Sequence, residues 1–212
     1  MHLRPIDRLA ILSAAFVALT ILVWTRATDA LDTAVLELVL PLRTPVMDDA
    51  FSVTTAIGGP LVSSVAAIVL TLALVAREGR RGRVVLLMFA GIALEVVLKQ
   101  FVFQPGPPSE LVRDSVLLST LRDLSPYTYP GGHVMRVAFL SAVLVTRFQR
   151  LGVPLAIVTA VVAFGRVYLA AGWFADVVGG LLAGLALATL AEVIAARVAA
   201  TRPAARVGVV TP

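Results

Sequence analysis

The sequence predicts an all-α integral membrane protein, a single bundle of six transmembrane helices with a further helix lying in the membrane interface. Two observations carry this prediction. Of the 212 residues, 59% are apolar and only 15% are charged, and the mean hydropathy is +0.95, which is more apolar surface than a soluble domain needs. The apolar residues also gather in six stretches, each long enough, or nearly so, to cross a hydrocarbon core of about 30 Å as a helix.

The first apolar stretch, residues 9–24, follows Arg4 and Arg8. A cleaved signal peptide is the alternative interpretation, because a basic start followed by an apolar run is typical of one. The letters VWTRATDA at the end of this stretch make only a weak cleavage site, and more apolar stretches follow. We therefore expect an uncleaved first transmembrane helix.

The next segment, LDTAVLELVLPLRTPVMDDAF, shows a different helical pattern. Four apolar residues recur there at helical intervals, with acidic residues between them: Leu31, Val35, Leu38 and Val39. The pattern fits an amphipathic helix in the membrane interface, and it fits equally an ordinary loop helix that packs over the bundle. Pro41 and Pro45 are expected to break the helix into pieces.

Five further apolar stretches complete the predicted bundle: residues 60–76, 84–103, 134–148, 153–171 and 177–198. No internal repeat or low-complexity linker divides the chain, so residues 1–198 are expected to form a single membrane domain. The Ala-rich, Arg-containing tail at 199–212 is expected to be a disordered cytoplasmic extension. The chain has no cysteine, which excludes disulfides and thiolate metal sites.

Arginine placement predicts the orientation of the helices. Eleven arginines fall in segments that a six-span arrangement puts on one side: Arg4, Arg8, Arg77, Arg80, Arg81, Arg83, Arg147, Arg150, Arg197, Arg202 and Arg206. Because Lys/Arg-rich loops stay in the cytoplasm, we expect a multi-pass cell-membrane protein with both termini cytoplasmic and the loops at 25–59 and 104–133 outside. The net charge of +5 follows from this asymmetry, so nucleic-acid binding is not expected. No protein partner is indicated.

Ionisable residues stand at helix ends on the expected outer side: Lys99 with Glu95 one turn before it, His133 after a Pro-Gly-Gly turn, Arg166, and Asp176. Such groups are costly at membrane depth unless they are paired or functional. Each also has a simpler interpretation. Lys99 can reach the interface, with Glu95 as its i,i+4 partner. His133 can be a helix-start residue that binds nothing, and Arg166 and Asp176 can form a structural ion pair.

Taken together, these residues predict a site for an anion. Lys99 and Arg166 supply positive charge, and the backbone of Gly131 and Gly132 supplies N–H groups at a helix N-terminus, which suits a phosphate. Arg136 lies three residues after His133 on the same helical face. It can add a further cation to the site, or it can simply extend towards the interface.

The order and spacing of these residues resemble the type 2 phosphatidic acid phosphatase family, the lipid phosphate phosphatases related to vanadium haloperoxidases. The family signature has three parts: lysine, six residues, then Arg-Pro; Pro-Ser-Gly-His; and Ser-Arg, five residues, His, three residues, Asp. Here they read KQFVFQPGP, PGGH and GRVYLAAGWFAD. The segments RTPVMDD and DVVGGLLAG are also similar, so the resemblance covers most of the chain.

The resemblance implies a role for each matching residue. In such enzymes the third-motif histidine attacks phosphorus, the aspartate orients it, and the second-motif histidine protonates the leaving alcohol. The resemblance therefore implies His133 and Asp176 as catalytic residues and Lys99 and Arg166 as phosphate ligands. To these ligands the helix-start backbone adds Gly131 and Gly132, and the position of Arg136 lets it replace the cation lost at Gly106. No metal or other cofactor is implied.

Four functional positions of the family are occupied by glycine. They are Gly106 for the first-motif arginine, Gly131 and Gly165 for two serines, and Gly172 for the nucleophilic histidine. Glycine offers no imidazole for a phosphohistidine, so the family mechanism is not expected to run. The small residues also have a packing interpretation, because they let membrane helices approach closely.

Three functions follow as hypotheses. The first is a pseudoenzyme that binds a phospholipid or polyprenyl phosphate at its outer face, for transport or sensing. The second is a lipid phosphatase or phosphotransferase with an altered mechanism, in which Asp176 orients a water molecule and His133 acts as the acid. The third is a membrane scaffold whose site has decayed, although a decaying site should first lose its costly buried charges.

Overall fold

The computed structural model describes residues 3–113 and 126–200, and it confirms the all-α prediction. Within these residues the α-helices are α1 (Pro5–Trp24), α2 (Asp29–Val39), α3 (Pro45–Thr55), α4 (Pro60–Glu78), α5 (Leu87–Phe101), α6 (Gly132–Arg147), α7 (Gly152–Tyr168) and α8 (Phe174–Ala200). Short 3-10 helices lie at Leu40–Leu42, Ala56–Gly58, Gly79–Leu86, Ser109–Leu111 and Gln149–Leu151. The predicted tail at 199–212 lies almost entirely outside the described residues.

The long helices run in alternating directions. Arg8 near the start of α1 forms an ion pair with Glu192 near the end of α8. At the other end of the same helix pair, Thr20 of α1 and Tyr129, just before α6, share a hydrogen bond of 2.9 Å. We call the end of the bundle where α1, α5 and α7 finish and α6 and α8 begin the site end, because the candidate residues lie there.

The surface of the bundle is strongly apolar. Large exposed apolar side chains line α1, α4, α5 and α7, for example Ile11, Val17, Leu72, Val96 and Ile157. Contiguous exposed apolar surface of this kind marks contact with lipid. The protein is therefore a multi-pass membrane protein.

Four stretches are long and apolar enough to cross a membrane among the described residues: Pro5–Trp24, Pro60–Phe101, Gln149–Tyr168 and Phe174–Ala200. The second spans 42 residues and contains both α4 and α5, which are joined by a reversal. Gly79 adopts a positive φ of 64°, and Gly82 packs so closely on the backbone of Leu74 that a side chain would overlap it. Because α6 has only 16 residues, the count of six spans stays a prediction.

The helix predicted after the first span is present as two pieces. Pro41 lies in the 3-10 helix that ends α2, and Pro45 is the first residue of α3, so the prolines interrupt the helix as expected. The buried face of α2 differs from the apolar pattern, however. Asp32 is buried, whereas Leu38 is 75% exposed, because hydrogen bonds to Asp32 turn that face towards the bundle.

Helix α3 packs over the bundle against α7. The ring of Phe51 lies 4.7 Å from that of Tyr168 and 5.5 Å from that of Phe164. A side chain on Gly165 of α7 would approach Thr55 Cγ2 to 2.8 Å. Glycine at 165 thus allows α3 to lie directly on α7, next to the site end.

Candidate phosphate-binding site

The turn that begins α6 is packed tightly against the start of α8. The Gly131 N–H donates to the carbonyl oxygen of Asp176 over 2.9 Å. A Cβ on Gly131 would lie 2.7 Å from that oxygen, and one on Gly180 would overlap the Gly131 carbonyl. Position 131 therefore has no room for the serine that the resemblance expects. The glycines allow two helices to cross at the site.

Glu95 links the cations of α5 and α6. Its Oε1 accepts a hydrogen bond from Lys99 Nζ at 2.9 Å, and its Oε2 accepts one from Arg136 Nη1 at 2.6 Å. Arg136 Nε also donates to the carbonyl oxygen of Gly58 at 2.9 Å. The guanidinium of Arg136 is thus held by Glu95 and by the corner between α3 and α4. Its role as a phosphate ligand stays a prediction.

His133, in the first turn of α6, lies among positive charges. Lys99, Arg136 and Arg166 all act on it electrostatically. The corner before α4 covers it, since a Cβ on Gly58 would lie 2.6 Å from the His133 carbonyl oxygen and one on Gly59 would lie 3.9 Å from its Nε2. His133 thus lies within electrostatic range of cations on three helices.

Arg166 lies in the last turn of α7 and is half-buried. One of its guanidinium nitrogens donates to the carbonyl oxygen of Ala171. The intervening Ala170 adopts a left-handed conformation with φ of 50°, which turns the chain from α7 towards Gly172. Arg166 therefore helps to hold the turn that leads into α8.

Asp176 is the third residue of α8 and is 1% exposed. Its Oδ2 accepts a hydrogen bond from the Trp173 N–H at 2.7 Å, so it reaches back to the residue that precedes the helix, as the acidic residue of a capping box does. Its buried Oδ1 has no hydrogen-bond partner in the described part of the chain. A Cβ on Gly172 would lie 3.3 Å from Oδ2, so Gly172 and the carboxylate are direct neighbours.

The segment after α5 forms one wall of this region. Pro105 pairs with Tyr127 in an isolated antiparallel bridge, and Trp173 Nε1 donates to the Pro105 carbonyl oxygen at 2.7 Å. A Cβ on Gly106 would meet the methyl group of Thr128 at 3.0 Å. Among the described residues, this methyl group is the only contact that a Cβ at position 106 would make, and residues 114–125 of this loop lie outside the described residues.

Sequence reasoning missed Asp32 as a site residue. Its Oδ1 accepts from the Ala175 N–H at 2.7 Å, and its Oδ2 accepts from Gln104 Nε2 at 3.2 Å. Burial raises the pKa of Asp32, and the hydrogen bond from Ala175 opposes that rise. The carboxylate sits at the N-terminus of α8, where negative charge is favoured. Acidic residues spaced along an apolar helix were its only sequence signal.

Two further residues fasten the site end and were also missed. Arg43 donates from Nε to the Tyr168 carbonyl oxygen at 2.8 Å and from Nη1 to that of Leu111 at 2.6 Å. Tyr129 is fully buried, stacks on Phe16, and has a pKa raised by burial to about 12, so it remains a neutral phenol. The RTPVMDD and YPGGH segments contain these residues, but only the fold shows what they contact.

Comparison with known proteins identifies a family and a structural neighbour for this chain. A family model described as the PAP2 superfamily matches residues 80–199. The chain is similar in structure to a transmembrane PAP2-type phosphatidylglycerolphosphate phosphatase from Bacillus subtilis, with a TM-score of 0.72 and 20% sequence identity over 92% of this chain and 99% of that one. At this identity the likeness establishes the fold. A comparison with curated proteins gave no match.

Proposed function

The chain belongs to the PAP2 superfamily of membrane proteins, and we propose that it binds a phosphorylated lipid without the phosphohistidine chemistry of that family. The ligand is a phospholipid or a polyprenyl phosphate, and the site faces outward from the cell membrane. The Bacillus subtilis neighbour is named for phosphatidylglycerolphosphate, which supports a lipid phosphate as the class of ligand. The bound lipid would be transported or sensed.

The observation that carries this proposal is the pairing of Gly172 with Asp176. Asp176, to which the family resemblance assigns the orienting of a nucleophilic histidine, is buried, and its neighbour at 172 has no side chain. Lys99 and Arg166 are nevertheless retained, and each acts electrostatically on His133. A site that keeps its cations and lacks its nucleophile is suited to holding phosphate.

A second function is favoured by the space next to one oxygen of the Asp176 carboxylate. A Cβ on Gly172 would lie 3.3 Å from Asp176 Oδ2, so the missing side chain at 172 leaves space beside that oxygen for a water molecule that donates a hydrogen bond to it. In this altered hydrolase that water attacks phosphorus and passes its proton to Asp176, while His133 gives a proton to the leaving alcohol. Residual catalysis of this type is small when a nucleophile is missing from a site that still binds substrate.

The test combines lipid binding with phosphate release. The purified full chain is given phosphatidate, phosphatidylglycerolphosphate and a polyprenyl diphosphate, beside the variants Gly172→His, His133→Ala and Asp176→Ala. We expect wild type to bind these lipids, to release little or no phosphate and to form no phosphohistidine. Turnover lost in both His133→Ala and Asp176→Ala would establish the altered hydrolase.

Two other outcomes contradict the proposal. Robust turnover that survives Asp176→Ala and disappears with His133→Ala would mean that His133 has itself become nucleophile or base. If wild type shows neither lipid binding nor turnover, the membrane scaffold remains as the function.

A further inference from the structure

Glu95 is a buried acid placed among the cations that the proposed function assigns to phosphate. Its side chain is 11% exposed, and its two oxygens are divided between Lys99 Nζ and Arg136 Nη1 at 2.9 and 2.6 Å. Arg136 is even less accessible, with 3% of its side chain exposed. Each cation on this side of the site therefore already faces a negative charge from the protein itself.

The carboxylate of Glu95 also lies at the N-terminus of α6. A Cβ on Gly132, the first residue of that helix, would overlap all three atoms of the Glu95 carboxyl group. Helix N-termini favour negative charge because their N–H groups lack intrahelical acceptors. Glu95 thus supplies an internal anion at the helix end that the sequence predicts for a phosphate.

The balance of charge limits what the site can hold. Three cations, Lys99, Arg136 and Arg166, act electrostatically on His133. Two carboxylates, Glu95 and Asp176, interact with Lys99, and a third, Asp32, acts on Asp176, so these three cations and three carboxylates balance when all three acids are ionised. A phosphodiester carries one negative charge, whereas a phosphate monoester carries up to two above its second pKa of about 6.

We propose that Glu95 is a specificity-determining residue: its carboxylate is a built-in counter-ion that makes the site favour a singly charged phosphodiester headgroup over a doubly charged phosphate monoester. This inference rests on the proposed function, since it names the charge class of the lipid bound at that site. The attraction of the cations and the repulsion of Glu95 both scale with the charge of the ligand. Because Glu95 completes a balanced set of charges, the attraction gives a dianion no advantage, and its larger desolvation cost remains. A monoester dianion therefore loses about twice as much binding free energy to Glu95 as a diester does.

The experiment compares two lipids that share acyl chains and differ in phosphate charge. Short-chain phosphatidylglycerol and phosphatidate are titrated at pH 8 into the purified full chain in detergent micelles. Trp173, which contacts the site, provides a fluorescence signal. We expect wild type to bind phosphatidylglycerol at least as tightly as phosphatidate. A wild-type preference for phosphatidate that exceeds the error of the titration would overturn the inference without requiring any variant.

Two variants separate the charge of Glu95 from its shape. Glu95→Gln keeps the shape of the side chain and removes its charge. It should raise the affinity for phosphatidate by about tenfold and that for phosphatidylglycerol by about threefold. Glu95→Asp keeps the charge and should leave the ratio of the two affinities close to that of wild type. Equal tightening of both lipids by Glu95→Gln would contradict the role of Glu95 in specificity. Failure of wild type to bind either of these lipids, or the polyprenyl diphosphate of the earlier test, would instead reject the proposed function itself.

Discussion

Arg166 is held in the last turn of α7 by a hydrogen bond to the carbonyl oxygen of Ala171, and it acts electrostatically on His133. If it binds phosphate, replacing Arg166 by alanine removes a charge-assisted hydrogen bond worth about 1.5–3 kcal/mol. We expect lipid-phosphate affinity to fall by roughly 10- to 150-fold. Equilibrium binding of phosphatidate to the detergent-purified protein measures this loss.

A matched control for this variant lies at the opposite end of the bundle. Arg147 pairs with Glu78 at 3.7 Å, far along α6 from His133. Replacing Arg147 by alanine changes the net charge by the same amount as Arg166→Ala, so a general electrostatic effect would weaken binding equally in both. Equal losses, or no loss for Arg166→Ala, would contradict a local phosphate contact.

The glycines of the motif differ in the space around them. A Cβ at Gly131 would lie 2.7 Å from a backbone oxygen and one at Gly165 would lie 2.8 Å from Thr55, whereas one at Gly172 would lie 3.3 Å from Asp176 Oδ2. Overpacking typically costs about 1–3 kcal/mol. We therefore expect Gly131→Ser and Gly165→Ser to lower the unfolding temperature by several degrees, and Gly172→His to lower it less.

Thermal unfolding of the three variants in one detergent measures this order. Gly172→Ala is the control for Gly172→His, because it adds only the Cβ. A Gly172→His protein less stable than both serine variants would mean that the space beside Asp176 is closed to an imidazole. In that case the absence of phosphatase turnover in Gly172→His would say nothing about the missing nucleophile.

At the scale of an element, α2 is attached to the bundle through Asp32. Replacing Asp32 by alanine leaves the Ala175 N–H and Gln104 Nε2 without their acceptor, and an unsatisfied buried polar group costs about 1–3 kcal/mol. In Asp32→Asn the new side-chain amide can still accept from Ala175, and it can donate to Gln104 Oε1, which has no partner among the described residues. We expect Asp32→Ala to be clearly less stable than Asp32→Asn in thermal unfolding.

The difference in stability between wild type and Asp32→Asn is also expected to depend on pH. Burial raises the pKa of Asp32 above its ordinary value, so the folded state binds its proton more tightly than the unfolded state does. Stability contributed by this group is present below the unfolded pKa, about 3.9, and is lost as pH rises through the folded pKa. The unfolding temperature of Asp32→Asn should therefore rise relative to that of wild type as the pH increases from 4 to 8. A difference that is constant with pH would contradict the raised pKa.

Local sequence signals predicted some elements well and others only in part. The break between α2 and α3 follows from Pro41 and Pro45 alone, because proline acts within its own turn. The buried face of α2 does not, since Asp32 is turned inward by Gln104 and Ala175, which are 72 and 143 residues away. Likewise the third apolar stretch was expected to start its helix at 84, but a 3-10 helix continues to Leu86.

At the scale of the whole molecule, the bilayer explains why the fold could be predicted. Backbone groups in hydrocarbon must be satisfied within the chain, so long apolar stretches become helices, and short loops make neighbouring helices antiparallel. Motif residues near alternate helix ends then meet at one end of the bundle. The pairing of Glu95 with Arg136 could not be predicted in this way, because residues 41 positions apart were joined by packing rather than by periodicity.

The last prediction concerns the orientation of this bundle in the membrane. Contacts gather the arginine-rich segments at one end. Arg147 pairs with Glu78, Arg77 lies over the ring of Phe148 at 5.5 Å, and Arg8 pairs with Glu192. Because the segments that hold most of the Lys and Arg stay in the cytoplasm, this end is expected to be cytoplasmic and the site end external.

Reporter domains fused to the chain after three chosen positions measure this orientation. Fusions after Arg83 and after Arg150 should report the cytoplasm, and one after Ser109 should report the exterior. The fusion after Arg83 also distinguishes two arrangements of Pro60–Phe101. If α4 and α5 each cross the membrane, the reversal at Gly79 lies in the cytoplasm with the arginines that follow it. An exterior signal after Arg83 would contradict the six-span arrangement, and it would place Lys99 and the other site residues on the cytoplasmic side, where an outward-facing lipid phosphate cannot reach them.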